Sequence, residues 1–211
     1  MINSIIFDLD GVLVFTDKFH YKAWKEMADS IGVYFDEEIN NRLRGVSRMA
    51  SLDIILERYE DEPMSSARKT ELAEQKNERY RELLATLTEE DVSAQVRNTL
   101  AELKKKGIKL ALGSSSKNAK FILEQVGLMN AFDAISDGTN ITHSKPDPEV
   151  FLKAAQFLGA DPSTCMVVED AEAGIDAAIA GGMYSAAIGD AVACNKADYN
   201  LNSISDLLKI V

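Results

Sequence analysis

The chain has 211 residues, enough to bury a core as one domain or as one domain carrying a modest insertion. Hydrophobic residues make up 46% and charged residues 27%, the balance of an ordinary soluble globular protein. The formal net charge of -11 repels nucleic-acid backbones and anionic membrane surfaces, so neither is an expected partner; a small phosphorylated metabolite is admissible if its site supplies local cations.

Cys165 lies in the apolar run Cys165-Met166-Val167-Val168 and Cys194 in a polar stretch. Two cysteines so placed form neither a disulfide framework nor a zinc pattern, which fits a reducing compartment. The opening Met1-Ile2-Asn3-Ser4 has no basic segment leading into an apolar run, and no stretch is long enough to span a bilayer. The expectation is a soluble cytoplasmic protein, monomeric by default.

Along the chain, Ile5-Ile6-Phe7 is short, apolar and β-branched, as a buried strand is, and runs into Asp8-Leu9-Asp10-Gly11. Helical periodicity follows: Phe19, Ala23, Met27 and Ile31 recur four apart, and Gly32 supplies a stop. Leu52, Ile55 and Leu56 predict a second helix capped by Ser47; Leu72, Lys76, Tyr80 and Leu83-Leu84 predict a third, rich in charge. No strand is expected between Asp17 and Leu87.

Beyond that point strands and helices alternate. A helix through Val96, Leu100 and Leu103 ends at Lys106-Gly107, its lysines at the negative end of the dipole. Strands are predicted over 108–112, 133–136, 166–169 and 184–188, and helices over 117–126 and 173–180. A further helix runs through Phe151, Ala155 and Leu158, with Asp147 as cap and Pro148 in its first turn. This alternation predicts an α/β fold, a doubly wound parallel sheet covered on both faces. The helical block becomes an inserted α-helical cap domain over 15–91, and 1–14 with 92–211 the catalytic core.

Ligands of doubly wound sheets bind beyond the carboxyl ends of the strands. Four such ends carry polar residues: Asp8 and Asp10, Ser114, Lys145 in the loop after the third strand, and Glu169-Asp170. Several carboxylates on one rim repel each other unless a hard cation lies among them, and oxygen-only ligands point to Mg²⁺. Spaced two apart on an extended strand, Asp8 and Asp10 are expected to face one side, one to attack phosphorus and the other to handle the proton. Ser114 and Lys145 offer a hydroxyl and an ammonium to the transferring phosphate. Singly each has a plainer explanation: a turn for Asp-x-Asp-Gly, helix caps for Ser114 and Glu169-Asp170, a solvated loop for Lys145-Pro146. Their convergence on one rim favours catalysis.

Phe7-Asp8-Leu9-Asp10-Gly11-Val12-Leu13, Ser114, Lys145-Pro146-Asp147-Pro148 and Glu169-Asp170 together resemble the haloacid dehalogenase superfamily over essentially the whole chain. The resemblance implies a Rossmann-like core, Asp8 as nucleophile, and Asp10 as general acid/base with its backbone carbonyl on the metal. It also implies Asp170 as a metal ligand and Glu169 as a ligand or its support. Within the superfamily, several features resemble the β-phosphoglucomutase family: His20 and Trp24 one helical turn apart, Arg44-Gly45-Val46-Ser47-Arg48, Lys76-Asn77 and Ser114-Ser115-Ser116-Lys117-Asn118. By that resemblance Arg48, Ser116, Lys117 and Asn118 grip the phosphate that is not being transferred, and His20 and Lys76 couple cap closure to Asp10. Trp24, Gly45 and Val46 join the substrate site. The implied activity interconverts β-glucose 1-phosphate and glucose 6-phosphate through an aspartyl-phosphate and a sugar bisphosphate; a sugar-phosphate phosphatase is the alternative.

Bland explanations stand beside the cap residues: a surface histidine for His20, a core residue for Trp24, a solvated charge for Lys76. The chain also departs from the family pattern. Phe15 replaces a commonly acidic residue before Thr16, and Gly113 before Ser114 is expected to loosen that strand end.

Overall fold

Ile5, Ile6 and Phe7 are wholly buried in β1 (Ser4–Phe7) of the computed structural model, which describes residues 2–43 and 46–211. The strand stops before the acidic pair. The chain then turns: the amide of Gly11 donates to the carbonyl of Val14 at 2.8 Å and that of Leu13 to Leu9 at 2.9 Å, with Gly11 at φ +81°. Asp8 and Asp10 thus do not share an extended strand as the spacing suggested, because a tight turn claims the second of them.

Two compact units divide the chain, Thr16–Thr86 and the remainder, Met1–Phe15 with Leu87–Val211. Among its described residues the first unit holds four helices: α1 (Asp17–Ser30), α2 (Glu37–Asn41), α3 (Arg48–Leu56) and α4 (Ser66–Leu84). Its core joins Trp24, Met27, Phe35, Leu52, Ile55 and Leu72, so the predicted apolar stripes do face one another. Ser47 caps α3, accepting from the amide of Ala50 at 3.3 Å. The five-residue α2 has too few turns to show a period in sequence; Asp36 starts it by accepting from the amide of Ile39 at 2.9 Å.

In the second unit β1 is flanked in parallel by β2 (Lys109–Gly113) and β4 (Cys165–Glu169). With β3 (Ala134–Ser136), β5 (Tyr184–Ala187) and β6 (Tyr199–Asn200) the parallel order is β3-β2-β1-β4-β5-β6. The order steps away from β1 in both directions, so a crevice opens beyond its carboxyl end. Helices α5 (Ala94–Lys105), α6 (Ala119–Gln125), α7 (Glu149–Leu158), α8 (Glu172–Ala180) and α9 (Leu207–Ile210) complete the unit. Pro148 takes the cap position of α7, while Asp147 Oδ1 accepts from the amide of Glu149 at 2.9 Å.

Gly113 does not loosen β2. A Cβ there would lie 2.6 Å from the Phe151 ring and 2.9 Å from Ile6, so its absence is what lets Phe151 pack over the strand end. Among the described residues no helix is long and apolar enough to cross a membrane.

Candidate active site

Asp8 immediately follows β1, and Glu169 ends the neighbouring strand β4, with Asp170 next in sequence. Ligand oxygens of Asp8, Glu169 and Asp170 all lie within 4.8 Å of one another. Into this cluster reaches Lys145, its Nζ 2.5 Å from Asp8 Oδ1 and 2.5 Å from Glu169 Oε1, and 4.7 Å from the centre of the Phe151 ring. The loop that delivers it is pinned by Glu149: Oε2 accepts from the amides of Thr142 at 2.9 Å and His143 at 2.7 Å, while Oε1 pairs with Lys153 at 2.7 Å.

The electrostatics of the cluster are unbalanced. Burial alone would lower the Lys145 pKa, but Asp8 and Glu169 more than reverse this and hold the ammonium charged. Burial pushes the Asp8 carboxyl up to about 7; Lys145 opposes the shift, and Glu169 and Asp10 add to it. Burial, then the charges of Asp8, Glu169 and Asp10, push Asp170 up to about 8. One ammonium does not neutralise four carboxylates, so hard oxygen donors remain that a divalent cation would satisfy. Asp10 acts on its neighbours through this charge, and its carboxylate is not one of the three that converge.

Ser114 lies one residue past β2 and is buried. Its amide donates to the carbonyl of Ser136 at 3.1 Å, and its Oγ accepts from the amide of Ser116 at 3.2 Å. Ser116 Oγ in turn accepts from the amide of Asn118 at 3.2 Å. The segment from Ser114 to Asn118 is thus a tight loop leading into α6, which Ser114 does not cap. Lys117 is exposed and Asn118 buried.

The helical unit has a polar cluster of its own. Lys76 is 3% exposed, with Nζ 2.9 Å from His20 Nδ1 and within 4.6 Å of the ring centres of Trp24 and Tyr80. His20 stacks on Tyr80 with ring centres 4.0 Å apart. Lys76 is therefore not the solvated charge that its neighbours in sequence suggest, and His20 is only partly exposed. Arg48 is half-buried and its Nη2 donates to Asn77 Oδ1 at 2.7 Å. Val46 is 37% exposed. Gly45 lies outside the described residues.

Two glycines shape the acidic cluster: Gly11 of the first motif, and Gly174, which the sequence did not single out. A Cβ on Gly11 would lie 2.0 Å from Asp170 Oδ2, and one on Gly174 would lie 2.0 Å from Glu169 Oε1. Both positions are bare so that a carboxylate can occupy the space. For Gly174 the only signal available was a glycine inside the otherwise helix-forming stretch 172–180, and its reason lies outside the helix, in the Glu169 carboxylate that ends the preceding strand.

A doubly wound sheet with an acidic crevice, a buried lysine and a serine-led loop suits an enzyme of phosphate chemistry. A family model for haloacid dehalogenase-like hydrolases matches residues 2–182, and the chain belongs to that family. It is 40% identical to a β-phosphoglucomutase of Bacillus subtilis, over 97% of this chain and 91% of the relative. It is 31% identical to a phosphorylated carbohydrates phosphatase of Thermotoga maritima, over 85% and 82%. The crystal structure of a β-phosphoglucomutase from Clostridium difficile superposes with a TM-score of 0.92 at 38% identity, covering 98% of this chain and 93% of that one.

Proposed function

We propose that this protein is a Mg²⁺-dependent phosphotransferase that interconverts β-glucose 1-phosphate and glucose 6-phosphate. The observation that carries the proposal is the buried Asp8–Lys145–Glu169 constellation at the carboxyl ends of β1 and β4. The 40% identity to a β-phosphoglucomutase over nearly the whole chain supports the choice of reaction.

The cycle starts from Asp8 carrying a phosphoryl group. The 6-hydroxyl of β-glucose 1-phosphate attacks its phosphorus, Asp10 takes the hydroxyl proton, and the Asp8 oxygen–phosphorus bond breaks. The sugar bisphosphate so formed presents its other end, and Asp8 attacks the 1-phosphate. That sugar oxygen leaves with the proton from Asp10, which gives glucose 6-phosphate and restores the phosphorylated enzyme. Lys145 holds the Asp8 carboxylate in one orientation and places positive charge beside the phosphate oxygens, and Ser114 donates its hydroxyl to them. Asp8, Asp170, the Asp10 carbonyl and Glu169, directly or as support, would hold Mg²⁺. The ion would screen the transferring phosphoryl group from the attacking carboxylate.

An isomerase must seat its bisphosphate in two orientations and therefore needs a second anion site. Ser116, Lys117 and Asn118 on the loop before α6, with Arg48 of the helical unit, supply it, Arg48 through its planar fork. The helical unit Thr16–Thr86 serves as the cap, where His20, Val46 and Lys76 would complete the sugar's surroundings, with Trp24 packed behind Lys76. Two free cysteines suit a reducing cytoplasm, and a monomer is the default reading.

The T. maritima relative favours a second possibility, a sugar-phosphate phosphatase with water as final acceptor. A coupled assay on β-glucose 1-phosphate with Mg²⁺ and a sugar-bisphosphate primer separates the two. Glucose 6-phosphate without net phosphate release is expected; stoichiometric phosphate release with no isomer would replace the mutase by the phosphatase. Asp8→Asn should abolish both turnover and phosphorylation of the protein.

A further inference from the structure

The loop Ser114–Asn118 does not stand alone. After β3 the chain makes a turn, with the amide of Asn140 on the carbonyl of Asp137 at 3.1 Å and the amide of Asp137 on Asn140 Oδ1 at 3.3 Å. Asp137 is 1% exposed, and its Oδ1 accepts from the Thr139 amide at 2.8 Å and from the Thr139 hydroxyl at 2.5 Å. Asn140 is fixed from outside the turn, receiving the Ser136 hydroxyl on Oδ1 at 3.1 Å and Lys153 on its carbonyl. The turn is rigid for these reasons.

It meets the serine loop backbone to backbone. The amide of Gly138 donates to the carbonyl of Ser116 at 3.2 Å. A Cβ on Gly138 would lie 2.4 Å from the Ser115 carbonyl oxygen and 2.8 Å from the Lys117 nitrogen. Gly138 does not have the left-handed φ that would call for glycine on conformational grounds. What requires glycine there is space. A second tie runs from Asp137 Oδ2, which accepts no hydrogen bond from described groups, to Lys120 on α6 at 3.8 Å. The turn therefore grips the serine loop at its middle and also holds the helix that follows.

We infer that Gly138 is a positioning residue for the second anion site: the turn 137–140 sets the backbone of Ser115–Lys117, and with it the grip of Ser116, Lys117 and Asn118 on the phosphate that is not being transferred. The inference rests on the mutase function proposed above. Backbone atoms cannot swing aside as a side-chain tip can, so an added methyl must displace the loop. Displacement of about 1 Å at a positioning group costs on the order of 10²-fold in rate. Ser114 keeps its own anchor on the Ser136 carbonyl, so the transferring phosphate should be less affected.

The test compares Gly138→Ala with wild type in two reactions. In the first, kcat/KM for β-glucose 1-phosphate should fall by about tenfold or more, mainly through KM. In the second, phosphorylation of the enzyme by acetyl phosphate, which has no second phosphate to hold, should change by less than about twofold. Asp137→Asn keeps the shape of the turn and removes the charge facing Lys120; it should raise the same KM by roughly threefold with the acetyl phosphate rate unchanged. This second variant decides the matter if Gly138→Ala does not fold. A wild-type KM in the folded variants, or equal loss in both reactions, would overturn the inference. Failure of the mutase function itself would show in the wild-type enzyme, as phosphate release without isomerisation, and the inference would then fall with it.

Discussion

Lys76 and His20 meet inside the helical unit, Nζ to Nδ1 at 2.9 Å, with the faces of Trp24 and Tyr80 beside the ammonium. Burial first, and Arg48 second, lower the Lys76 pKa to about 7. Burial, then Lys76 and Arg48, hold His20 well below its ordinary value, so it stays neutral, and its Nδ1 accepts when Lys76 is charged, because an ammonium can only donate. Below pH 7 Lys76 is charged in both folded and unfolded chains, and the folded state bears the full cost of burying that charge. Between about 7 and 10.5 the unfolded chain binds a proton at Lys76 that the folded chain does not, so the contribution of this residue to stability rises with pH. Urea denaturation across this range should show wild type gaining on Lys76→Met by on the order of a few kcal/mol at most. Parallel curves would mean that Lys76 titrates normally in the fold.

The acidic cluster has the opposite sign. Asp8 and Asp170, raised to about 7 and 8, bind protons in the folded metal-free protein that the unfolded chain has already lost. The metal-free protein should therefore lose stability as pH rises from about 4 through 8. Mg²⁺ needs the deprotonated carboxylates, so its affinity should increase over the upper part of that range, by at least about tenfold between pH 6 and 9. Thermal melts with and without Mg²⁺ at the two pH values check both statements. A pH-independent Mg²⁺ effect would show that these carboxylates are ionised throughout.

Gly174→Ala sets local preference against the site. In an exposed helix the change would gain about 1 kcal/mol. In α8 the new Cβ would meet the Glu169 carboxyl at 2.0 Å and force it off Lys145. The second effect should win, with a net loss of about 1–3 kcal/mol in denaturation and a fall in kcat/KM of roughly 10- to 100-fold. A more stable variant with wild-type activity would show that Glu169 has another place to go.

The glycine explains a limit of sequence reading. Asp8, Ser114 and Glu169 were legible because strand–helix alternation identifies strand ends, and the fold places those ends on one rim whatever lies between. Lys145 was legible by the same logic, although its reach to Asp8 depends on the pinned loop around Glu149. Gly138 and Gly174 were not, because the atoms that exclude a methyl group come from the distant serine loop in the first case and from Glu169 at the end of the preceding strand in the second. The aromatic surroundings of Lys76 come partly from α1 and partly from a residue four further along α4, so neighbours in sequence wrongly suggested solvent. Short elements such as α2 and β6 carry too few residues for a period to emerge.

On the proposed function, Arg48 is the residue whose loss should separate binding of the sugar's other phosphate from the chemistry at Asp8. Its guanidinium is half-buried, and one nitrogen is already held by Asn77 Oδ1 at 2.7 Å, which orients the fork before any ligand arrives. Burial lowers its pKa somewhat, yet an arginine stays charged at any working pH. Arg48→Ala should therefore cut sugar-phosphate turnover by about 10²-fold or more, since the proposed charge-assisted contact to the phosphate would be lost. Phosphorylation of Asp8 by acetyl phosphate should remain within about twofold, because that donor does not call on the second anion site. Arg48→Lys keeps the charge without the planar fork, so it should recover only a small part of the loss. Rapid-quench measurement of both reactions on the three proteins provides the comparison. Equal impairment of the two reactions in Arg48→Ala would place this arginine in the phosphorylation step and remove the argument for a distinct second anion site.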